Sequence, residues 1–186
     1  HPTTEPFRIG YAGRLVREKG VDVLLRAAAG LDGDWEIRLA GSGGPDQPRL
    51  KALARELGIE ARVQFDPPRP SVEMPAYYAA LDVLVLPSLT RPNWKEQFGR
   101  ALVEAMCCQV PVIGSNSGEI PNVIGDAGLV FPEGDAIALR AQIESLRRDP
   151  VRHRALGKSS RARVLERYTQ ARIAEETYQV YDSILN

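Results

Sequence analysis

Two carboxylates, Glu96 and Glu104, stand eight positions apart in Glu96-Gln97-Phe98-Gly99-Arg100-Ala101-Leu102-Val103-Glu104, across the start of an apolar helical pattern. A helix predicted to begin near Phe98 points its first N–H groups at whatever precedes it, and their partial positive charge attracts phosphate. Glu96 then lies in the loop beside that anion site. Glu104, two turns along, falls at the edge of the stripe made by Phe98, Leu102, Ala105 and Met106. Carboxylates so placed suit a ligand better than they suit packing. A plainer reading makes Arg100 and Glu104 a surface pair at i, i+4, in the weaker order of charges, worth about 0.3 kcal/mol.

A second cluster is Gly13-Arg14-Leu15-Val16-Arg17-Glu18-Lys19-Gly20. Gly13 leaves space where a ligand approaches, Arg14 can grip two oxygens of a phosphate, and Lys19 adds a compact charge. Together they suit a diphosphate; the alternative is a solvated loop in which Arg17 and Glu18 pair with their neighbours. Gly41-Ser42-Gly43-Gly44-Pro45 has part of a dinucleotide fingerprint but puts Asp46 where the third glycine belongs. It reads as a tight turn whose backbone a ligand can approach closely. Three lookalikes are set aside. Asp32-Gly33-Asp34 has the two-aspartate form of a metal site but lies between a helix and a strand start, where a turn explains it. Gly157-Lys158-Ser159 ends like a phosphate loop, yet Arg152 replaces the leading glycine and no strand precedes it. Gly114-Ser115-Asn116-Ser117-Gly118 has Asn116 where a hydrolase elbow needs serine.

These loops must hang on regular elements. Strands are expected at Phe7 to Ala12, Trp35 to Ala40, Arg62 to Phe65, Val83 to Leu86, Val110 to Ile113 and Gly128 to Phe131. Helical patterns separate nearly all of them, at about Gly20 to Gly30, Gln47 to Leu57, Ser71 to Ala80, Phe98 to Cys108 and Ala136 to Arg148. The alternation predicts an α/β fold, a Rossmann-like parallel sheet with helices on both faces, which places ligands at the carboxyl ends of its strands. Beyond Val151 two charged helices are expected, split near Thr169, whose hydroxyl can cap the second. The last carries an apolar stripe of Ile173, Thr177, Val180, Tyr181 and Ile184, assigned to core packing, with docking on another domain as the alternative. Residues 1–6 have linker composition, so the domain is placed at 7–186.

Composition narrows the partners. The 186 residues suffice for one domain with a real core, and 24 basic against 24 acidic residues leave no global field to recruit nucleic acid or an anionic membrane. No apolar run approaches the ~20 residues of a membrane span and no basic-then-apolar leader opens the sequence, which reads as soluble and cytoplasmic. Cys107 and Cys108 are neighbours whose side chains diverge on one helix, so reduced, partly buried thiols are expected. With only His1 and His153 present, a metal site built on histidine is not expected.

Gly13-Arg14 with Lys19-Gly20, the turn from Gly41 to Gly43, and Glu96 to Glu104 followed by Pro111-Val112-Ile113-Gly114 resemble the C-terminal domain of the retaining glycosyltransferase family 4. Gly118-Glu119-Ile120-Pro121 and Gly128-Leu129-Val130 also fit its pattern, and the likeness covers almost the whole chain. It implies the two-domain GT-B architecture, this chain being the half that binds a nucleotide-sugar donor. The resemblance makes Arg14, Lys19 and Glu96 the catalytic set: the first two hold the diphosphate as it leaves, without a metal, and Glu96 contacts sugar hydroxyls. Backbone amides of Phe98, Gly99, Arg100 and Ala101 meet sugar or phosphate, Glu104 binds the ribose, and Gly13 and Gly43 lie along the donor. The base rests near Val63 and Phe65. No cofactor is implied, since the nucleoside diphosphate sugar is a substrate.

Gln97, where many members have glycine, and Cys107-Cys108-Gln109, where many have a small-residue pair, read as variation within the family. The acceptor-binding N-terminal domain is the missing partner, and membrane association is expected only through it. Such a chain is half of a hexosyltransferase, inactive alone. The rivals are another GT-B enzyme, an epimerase or a phosphorylase with a lysine for pyridoxal, and a non-catalytic domain that binds nucleotide sugars or scaffolds a partner.

Overall fold

The computed structural model describes residues 6–41 and 43–185, so the linker assigned to residues 1–6 lies, except for Pro6, outside the described residues. Six parallel strands form one sheet: β1 (Phe7–Ala12), β2 (Trp35–Ala40), β3 (Val63–Asp66), β4 (Val83–Leu86), β5 (Val112–Ser115) and β6 (Leu129–Phe131), in spatial order β3-β2-β1-β4-β5-β6. Their residues are apolar on both faces because helices cover both: Ile9, Ile37, Leu39, Val83 to Val85, Val112 and Ile113 are fully buried. The chain winds outward from β1 to β3, then crosses back to β4 and winds the other way. The central pair β1 and β4 therefore diverges at its carboxyl end, the place where an open α/β sheet leaves a crevice.

The helices are α1 (Val21–Ala29), α2 (Gln47–Glu56), α3 (Met74–Ala79), α4 (Arg100–Cys107), α5 (Ile120–Ile124), α6 (Ala136–Arg148), α7 (Pro150–Arg167) and α8 (Gln170–Leu185). Several findings differ from the sequence reading. Helix α4 starts at Arg100 rather than Phe98, because Gly99 takes a left-handed conformation (φ 77°) and breaks the turn; Phe98 leaves the apolar stripe and is 40% exposed. Strand β5 begins two residues late, since the Val110 N–H still bonds the Ala105 carbonyl and Pro111 has no N–H to give. Helix α5 escaped notice because five residues hold too little periodicity to read.

Helix α8 buries none of its residues. Ile173, Val180, Tyr181 and Ile184 are exposed, which overturns their assignment to the core. Thr169 does cap this helix, its Oγ1 accepting from the Arg172 N–H at 3.2 Å. Aspartates at 135 and 149 cap α6 and α7 in the same way. Cys107 is exposed rather than partly buried, and Cys108 is half-buried. Among the described residues no helix is long and apolar enough to cross a membrane.

Candidate functional site

The crevice between the ends of β1 and β4 is a cavity of about 810 Å³, within the range of small-molecule sites. Its walls are the β1–α1 loop, the end of β2, the segment after β3, one face of α3 with Tyr78, and the loop running from Trp94 into α4. Helix α1, which follows the β1–α1 loop, and helix α4, which lines the cavity, both begin at a glycine with no side-chain cap. Their first N–H groups thus lack the side-chain acceptor that would compete with a ligand.

Of the sequence-predicted residues, Gly13, Arg14, Lys19, Glu96, Phe98, Gly99, Arg100, Ala101 and Glu104 line this cavity. Gly43, Val63 and Phe65 do not. Gly41 lines it in place of Gly43, which is exposed beyond the rim. Val63 borders a separate small hollow with Glu36 and Arg62. Phe65 lies under the Lys51 ammonium, 5.3 Å from the ring centre. At the β3 edge the cavity wall is instead Pro68, Arg69 and Ser71, because the chain runs on past the strand before turning inward.

The turn after β2 is closely approached by the neighbouring β1–α1 loop, while Gly41 also lines the cavity. A Cβ on Gly41 would stand 2.0 Å from the Gly13 carbonyl oxygen, and one on Gly44 2.1 Å from that of Leu15. The Leu15 carbonyl also accepts from the Asp46 N–H at 3.1 Å. The Asp46 carboxylate, buried where a fingerprint glycine was missing, takes two 2.6 Å bonds from Arg49 and lies 3.4 Å from Arg17. The Arg49 hydrogen bonds hold its pKa below the usual carboxylate range, against the opposing effect of burial. Asp46 thus clasps two ligand-edge loops together. Below them Tyr11, fully buried, donates to the Arg14 carbonyl at 2.7 Å and props the loop from inside the core.

Glu96 is 8% exposed and its two oxygens have different surroundings. Lys19 Nζ lies 2.6 Å from Oε2, and the buried Ser88 hydroxyl donates to the same oxygen at 2.8 Å. Ser88 is fixed in turn because its carbonyl accepts from Ser115 Oγ at 2.6 Å. Lys19 also sits 4.9 Å from the centre of the Trp94 ring. Lys19 and Glu96, read separately from sequence, thus form an ion pair. Glu104 accepts from the Tyr78 hydroxyl at 2.7 Å and also makes the i, i+4 pair with Arg100 at 3.2 Å. Glu104 therefore makes the plain surface pair and also lines the cavity.

Ser88, Tyr78, Trp94 and Arg69 were not singled out by sequence. A polar Ser88 directly after the apolar run Val83-Leu84-Val85-Leu86-Pro87 was the available signal for the first. The other lookalikes have structural roles. The Asp32 and Asp34 carbonyls accept from Arg147 in a turn at the opposite edge of the sheet, and Lys158 and Ser159 lie within α7.

Five cationic side chains, Arg14, Lys19, Arg69, Lys95 and Arg100, face this cavity against two carboxylates, in a chain whose overall charge is zero. Among the described residues Arg14 and Lys95 have no ion-pair partner, and Arg14 is exposed at the carboxyl end of β1. Fold and charge together define a Rossmann-like α/β domain with a crevice rich in cationic side chains at its topological switch point.

The chain belongs to the glycosyl transferases group 1 family, which matches residues 2–163. It is 40% identical over 144 residues to a D-inositol 3-phosphate glycosyltransferase of Corynebacterium jeikeium, covering 70% of this chain and 33% of that protein. It is 35% identical over 173 residues to a GDP-mannose-dependent alpha-(1-6)-phosphatidylinositol monomannoside mannosyltransferase of Mycolicibacterium smegmatis, covering 87% and 45%. Among solved structures, sucrose-phosphate synthase from Thermosynechococcus elongatus superposes with a TM-score of 0.86 at 32% identity, over 100% of this chain and 47% of that one. Anabaena Alr3699/HepE in complex with UDP and glucose gives 0.85 at 25% identity, over 96% and 49%. The chain spans less than half the length of these relatives.

Proposed function

We propose that this chain is the donor-binding half of a retaining, metal-independent hexosyltransferase that moves a sugar from a nucleoside diphosphate to an acceptor. The observation that carries the reading is the excess of positive charge in the crevice, with the Arg14 guanidinium unpaired at its mouth. A departing diphosphate gains negative charge as the glycosidic bond breaks, and fixed cations stabilise that charge more in the transition state than in the ground state. Arg14 and Lys19 supply it, with the uncapped start of α4 adding its partial charge. No metal ion is needed in that scheme.

Lys19 reaches phosphate by leaving Glu96, and Ser88 keeps Glu96 bonded when it does. The Glu96 oxygen not engaged by Lys19 and Ser88 faces the sugar hydroxyls, and Glu104 takes the ribose. The acceptor site belongs to the other half of the protein, and the exposed stripe of α8 packs against that half. The relatives named for sugar transfer, and HepE with its UDP, support the reading.

The test is calorimetry of the full-length protein against uridine, guanosine and adenosine diphosphate sugars, with turnover assayed beside it. One donor should bind, turnover should survive EDTA, the product should keep the donor's anomeric configuration, and Arg14→Ala should lower turnover strongly without lowering the melting temperature. The isolated chain should bind weakly and transfer nothing. Near-normal turnover in Arg14→Ala, or binding by none of the donors, would remove the assignment.

A further inference from the structure

We propose that Tyr78 is a positioning residue for ribose recognition: its hydroxyl anchors one oxygen of Glu104 so that the carboxylate faces the vicinal hydroxyls of a bound nucleotide. The inference rests on the donor reading above and adds a residue to it. Tyr78 lies on α3, outside the sequence segments that suggested a ligand, and its ring is 1% exposed with an edge-on contact to Tyr77 at 5.6 Å. Only its polar tip reaches the cavity. There it donates to Glu104 Oε2 at 2.7 Å.

The other oxygen, Oε1, meets Arg100 Nε at 3.2 Å, and the Arg100 side chain is 87% exposed. One side of the carboxylate is thus gripped by a rigid donor inside the core, the other by a long side chain standing in water. An incoming ligand can displace the second partner but not the first. A carboxylate repels phosphate and can only accept hydrogen bonds, so in this crevice it favours a group that donates them, as the vicinal hydroxyls of a ribose do. Burial, and then the neighbouring carboxylate, push the Tyr78 pKa well above its ordinary value, so the hydroxyl keeps the proton it donates to Glu104. Without that bond Glu104 is left to swing with Arg100.

The test uses the full-length protein and measures by calorimetry the affinities for UDP, GDP and ADP and for their 2′-deoxy counterparts. The wild type should prefer one ribonucleotide over its deoxy form. Tyr78→Phe, which keeps the ring and removes the donor, should shrink that preference by about tenfold, as expected for a hydrogen bond to a charged group. It should leave deoxynucleotide affinity nearly unchanged. In a Glu104→Ala background the same change should have no further effect, which a merely structural role for Tyr78 would not predict. Where Tyr78→Phe fails to fold, Tyr78→Met removes the donor with a flexible apolar side chain that can fill much of the space, and is read in the same way. An undiminished ribose preference, or an equal loss for both nucleotide forms, overturns the role of Tyr78 while leaving the donor reading intact. A wild type that binds none of the six nucleotides overturns the donor reading, and this inference with it.

Discussion

Gly118→Ala should disable the site without touching any group that faces the ligand. Gly118 has φ of +55°, and a Cβ built on it stands 2.0 Å from the carbonyl oxygen of Glu96 and 3.0 Å from its nitrogen. Ordinary contact begins near roughly 3.5 Å, so the two segments must part by about 1.5 Å, and the obstacle is backbone that cannot swing aside. That carbonyl also accepts from the Glu119 N–H at 2.9 Å, while the Glu96 side chain is tied to Lys19 and Ser88. Moving the peptide therefore strains three bonds together. Left-handed backbone in a non-glycine residue costs roughly 1–2 kcal/mol by itself. Gly58→Ala isolates that contribution, because Gly58 has φ of +70° and nothing within 4 Å of its added Cβ.

For a chain of this length each kcal/mol lowers the melting temperature by roughly 2–4 °C, so Gly58→Ala should lose roughly 2–8 °C. Gly118→Ala should lose clearly more, about 2–4 kcal/mol in all, as the loosened hydrogen bonds add to the strain. Function separates the two variants further. A misplacement on the order of 1 Å in a positioning group costs on the order of a hundredfold in rate, so turnover of the full-length Gly118→Ala enzyme should collapse while Gly58→Ala stays near wild type. Differential scanning fluorimetry and a transfer assay on the same preparations read both quantities. If Gly118→Ala melted with Gly58→Ala and turned over normally, the claim that this close approach sets the position of Glu96 would be refuted.

Two further outcomes follow from buried ionisable groups. Burial raises the pKa of Tyr11, Tyr77 and Tyr78 above the ordinary value of about 10, so the unfolded chain releases their protons first as pH rises. Stability should be whole below pH about 10 and fall above it by about 1.4 kcal/mol per pH unit for each tyrosine. Their absorbance change should therefore coincide with unfolding by circular dichroism; ionisation of all three in the folded state at pH about 10 would contradict this. Asp46 has the opposite sign. Its depressed pKa contributes stability above the ordinary aspartate value of about 3.9, and that contribution is lost as pH falls through the lower folded value. Urea titrations of Asp46→Asn should show a loss of about 1–3 kcal/mol at pH 7 that narrows below pH 4, and a loss independent of pH would refute the clasp.

Periodicity made the sheet legible because a parallel strand buried on both faces has to be apolar throughout, as Val83-Leu84-Val85-Leu86 is. It misread α8 because the same apolar stripe describes a helix that packs on its own domain and one that leaves the stripe exposed, as α8 does. The candidate site was legible where backbone and charge type are enough, at Gly13, Arg14, Lys19, Glu96 and Glu104. It was illegible where position depends on the path of a loop: β3 ends at Asp66, but the chain reaches the crevice only at Pro68, so Val63 and Phe65 miss the wall.

Side-chain partners were the other blind spot. Sequence assigns Lys19 and Glu96 to different parts of a ligand, yet in the folded chain each is the other's counterion, and Arg100 and Glu104 repeat the arrangement. The two carboxylates are thus neutralised in place, and the net attraction for an anion falls to the cations without carboxylate partners facing the crevice, Arg14 and Lys95. On the proposed reading, a bound diphosphate would exchange one set of ion pairs for another. The resting pairs hold both carboxylates in place beforehand, Glu96 buried and Glu104 at the cavity wall, and such preorganisation is what electrostatic catalysis requires.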